Sequence, residues 1–300
     1  MDYRICGELI ERNKALDEFA MSQDSNSVIQ VRIQQLALCK LLVNIHKKDL
    51  FILVTAYTKL GEAYLKNRYF EQALDHLTTA LKLNGNLFSK IEVTKQYHSH
   101  ILTLLGNCYM EAGNFKDALS LLEKSNKMNK QILGETHPSN GQILQVIGQV
   151  YLRQKDYEAA LNVLGEAWEL YEMAFGTQSE QVGNCYIEIA AVHGRKKDLE
   201  EAIQFQNKAL QTFAQLEKYS NTEFLAHIAI TLSEMQEKAV KFEDALESLS
   251  QAKAILEDNY GVVDKRTTRV KRNISLIRLK LGMIPEALQE MKEVEVSSII

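Results

Sequence analysis

The sequence predicts an all-α protein, an α-solenoid of stacked antiparallel helix pairs. Three observations predict it. First, an alanine followed by leucine or isoleucine returns at Ala73-Leu74, Ala118-Leu119, Ala160-Leu161, Ala202-Ile203, Ala245-Leu246 and Ala287-Leu288, with the alanines 45, 42, 42, 43 and 42 residues apart. A period in this range marks one structural unit copied along the chain. Second, a small residue stands twelve places before each alanine, at Gly61, Gly106, Gly148, Ala190, Ser233 and Ser275. The residue before it is always aliphatic: Leu60, Leu105, Ile147, Ile189, Leu232 and Ile274. Third, the chain has only two prolines in 300 residues and no useful run of strand-like alternation.

Each element follows from these landmarks. The small residue lies in a first helix and the alanine in a second. Small residues let two helix backbones approach, and apolar residues spaced by three, four and seven fill one face. Three places before the alanine sits a large apolar residue: Phe70, Phe115, Tyr157, Leu199, Phe242 and Ile284. Seven after it comes another small one, at Ala80, Ser125, Ala167, Ala209 and Ala252, with Val294 in the sixth unit. Gly134, Gly176 and Gly261 fall at matching junctions and suit helix C-caps, and Pro138 suits the first turn of the next helix. Before the array, residues 4–20 and 28–46 read as helices, separated by a polar turn with Ser27 as an N-cap. Ala37 precedes Ala80 by 43 residues, so residues 1–50 form a degenerate pair capping the array. Six units follow within 51–300, at about 54–87, 99–132, 141–174, 183–216, 226–259 and 268–300, as one continuous solenoid.

The pattern aliphatic-Gly-x-x-Tyr (Tyr64, Tyr109, Tyr151), a large apolar residue, Ala-Leu and a second alanine resembles the tetratricopeptide repeat. Ile147-Gly148, Tyr151, Tyr157, Ala160-Leu161 and Ala167 give a nearly complete unit. The resemblance covers about residues 54–300 and implies a right-handed superhelix whose first helices line a concave groove. The usual repeat has 34 residues. The longer units, with junctions such as Leu133-Gly134-Glu135-Thr136-His137-Pro138 and Tyr260-Gly261, resemble the kinesin light chain type. They are also similar, more distantly, to ciliary tetratricopeptide proteins.

Composition narrows the function. A net charge of −4 selects neither nucleic acid nor an acidic membrane. Cys6, Cys39, Cys108 and Cys185 have no paired spacing and read as packed, reduced thiols of an intracellular protein. The start Met1-Asp2-Tyr3-Arg4 lacks the apolar core of a signal peptide. The longest apolar run, Leu50 to Val54, is too short to span a bilayer. A cytoplasmic location is expected.

The resemblance assigns the groove. Positions one after, three before and six before the small residue project into it. Asn107, Gln142, Gln145, Gln149 and Asn184 make its middle amide-rich. Amides both donate and accept, so they suit the backbone of an extended peptide. Arg153 and Arg195 add contacts for an acidic side chain. The lysine of a chaperone-type carboxylate clamp is missing, because Thr103 stands in its place. A basic end patch holds Lys265, Arg266, Arg269, Lys271 and Arg272, with Arg278 and Lys280 beyond it and no acid among them. It suits an acidic protein tail, such as tubulin's, better than nucleic acid, since no aromatic platform is interleaved. Apolar Val294, Val296, Ile299 and Ile300 near the C-terminus suggest self-association, and Ser298-Ile299-Ile300 matches a weak PDZ-ligand pattern.

No catalytic motif, metal set or cofactor motif is found. His98 and His100 point apart on a helix, and His193 replaces the repeat's tyrosine as a packed histidine. The expectation is a non-enzymatic scaffold or adaptor that binds other proteins, in a cytoskeletal or ciliary setting. The rival is a regulatory peptide sensor that changes superhelical pitch.

Overall fold

The computed structural model describes residues 3–21, 25–46, 50–87 and 93–297. Among these residues there are helices and no strands, paired and stacked in chain order. Contacts divide the chain into two compact units, residues 1–150 and 151–300.

In the first unit, α1 (Tyr3–Met21), α2 (Ser25–His46), α3 (Leu50–Lys66), α4 (Phe70–Gly85), α5 (Val93–Glu111) and α6 (Phe115–Leu133) precede the start of α7 (Pro138–Gln154). Each helix from α1 to α5 packs on the next. Gly61 and Gly106 carry the predicted close approach. A Cβ on either would stand 2.6 Å from the Cγ of Leu77 or Leu122, four residues after the repeat alanine. The α1–α2 pair is tied to α3 through Asp17, which accepts from both Arg32 and Lys59. Burial alone would raise the Asp17 carboxyl; the hydrogen bonds from Lys59 and Arg32 outweigh it and hold the pKa below the ordinary value.

In the second unit, the end of α7 leads to α8 (Tyr157–Phe175), α9 (Glu180–Lys196), α10 (Leu199–Gln215), α11 (Glu223–Lys238), α12 (Phe242–Tyr260), α13 (Lys265–Lys280) and α14 (Ile284–Ser297). From α8 onward each packs on the next. Here Gly183 makes the tight contact, with Phe213 ring atoms 2.7 Å from its virtual Cβ. Gly183 lies outside the twelve-residue spacing, so the repeat pattern does not announce it.

Both units obey the alanine rule. Ala73, Ala80, Ala118, Ala160, Ala167, Ala202, Ala209, Ala245, Ala252 and Ala287 are all 0% exposed. A larger side chain there would overpack the contact, at a cost of about 1–3 kcal/mol. The first helices of the six repeats, α3, α5, α7, α9, α11 and α13, also end the same way. Five places before the alanine, Arg68, Gly113, Lys155, Lys197, Val240 and Gly282 have φ between 62° and 79°. The next amide then donates to a carbonyl five residues back, as Tyr69 N does to Tyr64 O at 2.9 Å and Lys241 N to Gln236 O at 2.8 Å. This is a Schellman closure. Four of the six positions lack glycine, so no glycine pattern announced it.

Between pairs, Gly134, Gly176 and Gly261 have φ of 97°, 79° and 84° with ψ near-extended, a region almost reserved for glycine. Pro138 opens α7. Buried Asn140 pins that junction, donating to the carbonyls of Gly134 (2.8 Å) and Glu135 (2.9 Å) and accepting from Asn129 (3.0 Å). Ser27 is not an N-cap, because α2 already begins at Ser25. A run of serines offers several start points, and sequence alone does not choose among them. Residues 22–24 of the expected turn, and Ser298-Ile299-Ile300, lie outside the described residues, as do the side chains of Cys6 and Val296. Cys39, Cys108 and Cys185 are buried, and burial pushes their thiols up to about 11, 11 and 12. Val294 is buried too, at 8% exposure, so it belongs to the pair's own core.

Candidate functional site

The first helices of each unit line one cleft. In the first unit a cleft of about 350 Å³ runs between α5 and α7. Gln96, His100 and Thr103 form one wall, Ser139 and Gln142 the other, and Asn129 of α6 lies at its floor. No lining side chain carries a fixed charge.

Helical spacing explains the first wall. Residues 96, 99, 100 and 103 lie ten, seven, six and three places before Gly106, on one stripe of α5. Behind them a buried hydroxyl chain holds the wall: Ser125 Oγ lies 2.8 Å from both Ser99 Oγ and Thr103 Oγ1. Ser125 stands at the second small position, where Ala80, Ala167, Ala209 and Ala252 stand in other repeats, and so has a hydroxyl to offer. On the far wall, the Ser139 amide donates to His137 Nδ1 at 3.2 Å. His137 therefore presents Nε2 as its remaining polar atom. His100 is open to the cleft by area, yet the crowding helices desolvate it and lower its pKa, against the pull of Glu62.

In the second unit a cleft of about 160 Å³ lies between α11 and α13. Its residues occupy the same registers. Glu223, His227 and Ile230 stand where Gln96, His100 and Thr103 do; Arg266 and Arg269 match Ser139 and Gln142; Leu256 matches Asn129. The floor is apolar, with Ala226, Leu256 and Val270 buried. The rim carries both signs of charge.

The predicted groove residues therefore separate. Gln142 is exposed and lines the first cleft with His100 and Thr103. Asn107, Gln145 and Gln149 are half-buried on the same helices but do not line it, and Gln145 and Gln149 already have partners. In the second unit Asn184 is half-buried on α9, and Arg153 and Arg195 are exposed, Arg153 with a partner of its own. None of the three lines the α11–α13 cleft. Gln96, His137, Ser139 and Glu223 were missed. Extending the stripe one more turn toward the helix N-terminus, to ten places before the small residue, finds Gln96 and Glu223 together.

The basic end patch needs correcting. Lys271 is 2% exposed and bonded to Glu257 at 3.1 Å, so it faces the core. Its register is that of Ala229, a core position. Arg266 is held by Asp264 (2.9 Å) and Glu223 (3.0 Å), with its guanidinium 3.4 Å over the Tyr260 ring. Arg278 pairs with buried Glu290, and Lys280 with Glu237. Glu223, Glu237, Glu257 and Glu290 come from other helices, where a scan along one helix cannot see them, whereas Asp264 caps the same helix just before Lys265. Lys265, Arg269 and Arg272 remain exposed, with no ion pair among the described residues.

His193 is packed as expected. Its ring stacks on Phe205 at 5.8 Å, and Nδ1 stops 3.6 Å from Asp198, beyond hydrogen-bond reach. No helix among the described residues is long and apolar enough to cross a membrane.

A repeat period, stacked helix pairs and clefts between successive first helices define a helical-repeat protein. Tetratricopeptide repeat models match residues 58–128, 97–173 and 183–214, and the chain belongs to the tetratricopeptide repeat superfamily. No curated protein matches it. Among solved structures it is similar to BtubC (BKLC) from P. vanneervenii, at 20% identity over 80% of this chain and 94% of that one, with a TM-score of 0.67. It is similar to a kinesin light chain-type protein of nearly identical TPR-like repeats from Podosopora anserina, at 16% identity over 67% and 95%, TM-score 0.58. A signal transduction ATPase with a tetratricopeptide repeat sensor, from Pyrococcus horikoshii, matches at 16% identity over 98% of this chain and 43% of that one, TM-score 0.73. Likeness at these identities speaks for the fold.

Proposed function

We propose that this chain is a non-enzymatic scaffold that binds extended segments of other proteins in the clefts between its first helices, with the end of the repeat array as a second surface. One observation carries the reading: two clefts at identical registers, each walled by polar side chains of successive first helices. In the first, uncharged donors and acceptors suit a peptide backbone and make little demand on its side chains. In the second, an apolar floor beside Arg269 suits an apolar side chain followed by an acidic one.

The long repeats support a cytoplasmic setting in a cytoskeletal or ciliary assembly, through their resemblance to kinesin light chains and ciliary relatives. Arg269 and Arg272 would then meet an acidic tail. The test is affinity capture of native partners by the wild-type chain, by His100→Ala/Gln142→Ala and by Asn107→Ala. Loss of partners with the double variant but not with Asn107→Ala is expected. Full recovery with the double variant would remove the first cleft from the site.

A second reading is a peptide sensor that changes pitch on binding, favoured by the fold shared with the Pyrococcus sensor protein. It predicts compaction in small-angle scattering when a captured peptide is added. A profile that peptide leaves unchanged excludes it.

A further inference from the structure

At the last described helix pair, Leu279, Ile284 and Leu288 stand in the open, as does Leu276 at the groove register one place after Ser275. Leu279 is 39% exposed, Ile284 55% and Leu288 51%. The registers of Ile284 and Leu288 are half-buried or buried in every other repeat, and that of Leu279 is apolar and packed in several, although Glu237 holds it one repeat earlier and pairs with Lys280. The equivalent residues three repeats earlier, in the second unit, are Leu152, Tyr157 and Leu161. All three pack against a core that includes Ile189 and Val192 of α9. Phe242 and Leu246, equivalent to Ile284 and Leu288, pack against the core that holds Ile274 and Ile277 of α13. In the first unit Leu65 and Leu74 pack on the core containing Leu105 and Cys108 of α5.

The covering helix is the same in every case. It brings one residue just before the small position and one just after it, as Leu105-Gly106-Asn107-Cys108, Ile189-Ala190-Ala191-Val192 and Ile274-Ser275-Leu276-Ile277. The protein's own interfaces thus specify what fits the open face: a helix reading aliphatic–small–x–apolar. We propose that the face formed by Leu279, Ile284 and Leu288 seats such an amphipathic helix from a partner protein. This names the partner chemistry of the array end in the scaffold reading above.

A second copy of this chain fits less well. Aligning Ala37 with Ala80 puts Asp17 and Ala20 of α1 at the two covering registers. Asp17 is already committed to Arg32 and Lys59, so α1 cannot present the apolar pair. A two-fold contact between two open faces would bring Arg272 toward its own copy, with Arg269 and Lys265 on the same helix. Arg272 occupies the register of Ile230, which packs against a covered core. It is exposed with no ion pair among the described residues, so the partner helix should carry an acid opposite it.

The test uses a fluorescent peptide of residues 180–196, the α9 sequence that covers this face in the second unit, added to the full 300-residue chain. Anisotropy should rise to saturation. Leu288→Glu should weaken binding at least about tenfold, as expected for a central apolar anchor. Because Leu288 is exposed, circular dichroism and melting should stay as in wild type. A peptide with Ile189→Asp and Val192→Asp should not bind. No binding at about 1 mM, the weak limit of recognition, would overturn the proposal, as would equal binding to Leu288→Glu. Sedimentation of the chain alone should show a monomer; a dimer dispersed by Leu288→Glu would overturn the choice of occupant. The variant lies outside both clefts, so capture of groove partners is unaffected and the two readings fail separately.

Discussion

The α5–α7 and α11–α13 clefts are the same place in the repeat with opposite chemistry. Thr103, Asn129, Ser139 and Gln142 are replaced by Ile230, Leu256, Arg266 and Arg269. Inside the hairpins the polarity runs the other way. Three places after the small residue, Tyr64 stacks on His76 at 5.4 Å in the first unit. In the second, His193 stacks on Phe205, Gln236 accepts from Ser248 at 2.8 Å, and Arg278 pairs with Glu290. The backbone plan tolerates either pairing provided that both partners change together. A repeat fixes where side chains meet and leaves open what they are.

The largest effect should come from breaking the charged version. Glu290 is 5% exposed and bonded to Lys253 at 3.0 Å as well as to Arg278. Glu290→Ala strands two cations and should cost about 3–5 kcal/mol in urea unfolding. His76→Ala, at the equivalent place, should cost less, since it removes mainly a stacking contact worth about 0.5–1.5 kcal/mol. Equal losses would mean that the two versions are not distinct in kind.

The cleft floors give the next contrast. Asn129→Leu leaves Asn140 Oδ1 without its donor and should cost about 1–3 kcal/mol. Leu256→Asn buries an unpaired amide and should cost a similar amount. Either change being neutral would show that the floor chemistry is interchangeable.

The shared turn predicts a gain. Val240 holds φ of 62°, a poor conformation for a β-branched residue. Val240→Gly should stabilise by about 1 kcal/mol, whereas Gly113→Val at the same turn should destabilise by at least as much.

The smallest effect is pH dependence confined to one unit. His76, His98 and His100 all lie in the first unit, and desolvation lowers each below its ordinary 6.5, opposed by Asp75 at His76 and by Glu62 at His100 and assisted by Lys40 and Lys124. The unfolded chain then binds protons first, so stability falls as pH drops through about 6.5 toward the folded values. Below the ordinary carboxylate range the distinction ends, because Asp17 in the first unit and Asp264 in the second are both held low and both lose stability on protonation. Hydrogen exchange at pH 7.5 and 5.5 should show the first unit loosening while the region around Trp168, the single tryptophan, holds. Uniform loosening would break the distinction.

Much of the fold was legible in the sequence. The alanine spacing marks the second helices, and all ten repeat alanines are sealed in the core. Gly61 and Gly106 were readable as close approaches because nothing but a missing side chain fits against Leu77 and Leu122. The clefts were half legible. Gln142 falls on the expected stripe, but Asn107, Gln145 and Gln149 do not line either cleft, since a position's direction in a repeat is not its depth. Lys271 was not legible as a core residue, because only its acid, Glu257 on another helix, lets a lysine be buried there.

By itself the sequence determined the period, the pairing of helices and the small residues at their contacts, because local spacing on a helix decides which side chains share a face. Only the tertiary structure decided which charges are neutralised, which polar groups open into a cleft and which leucines stay exposed. Those outcomes depend on side chains about 40 residues apart, brought together by one turn of the repeat.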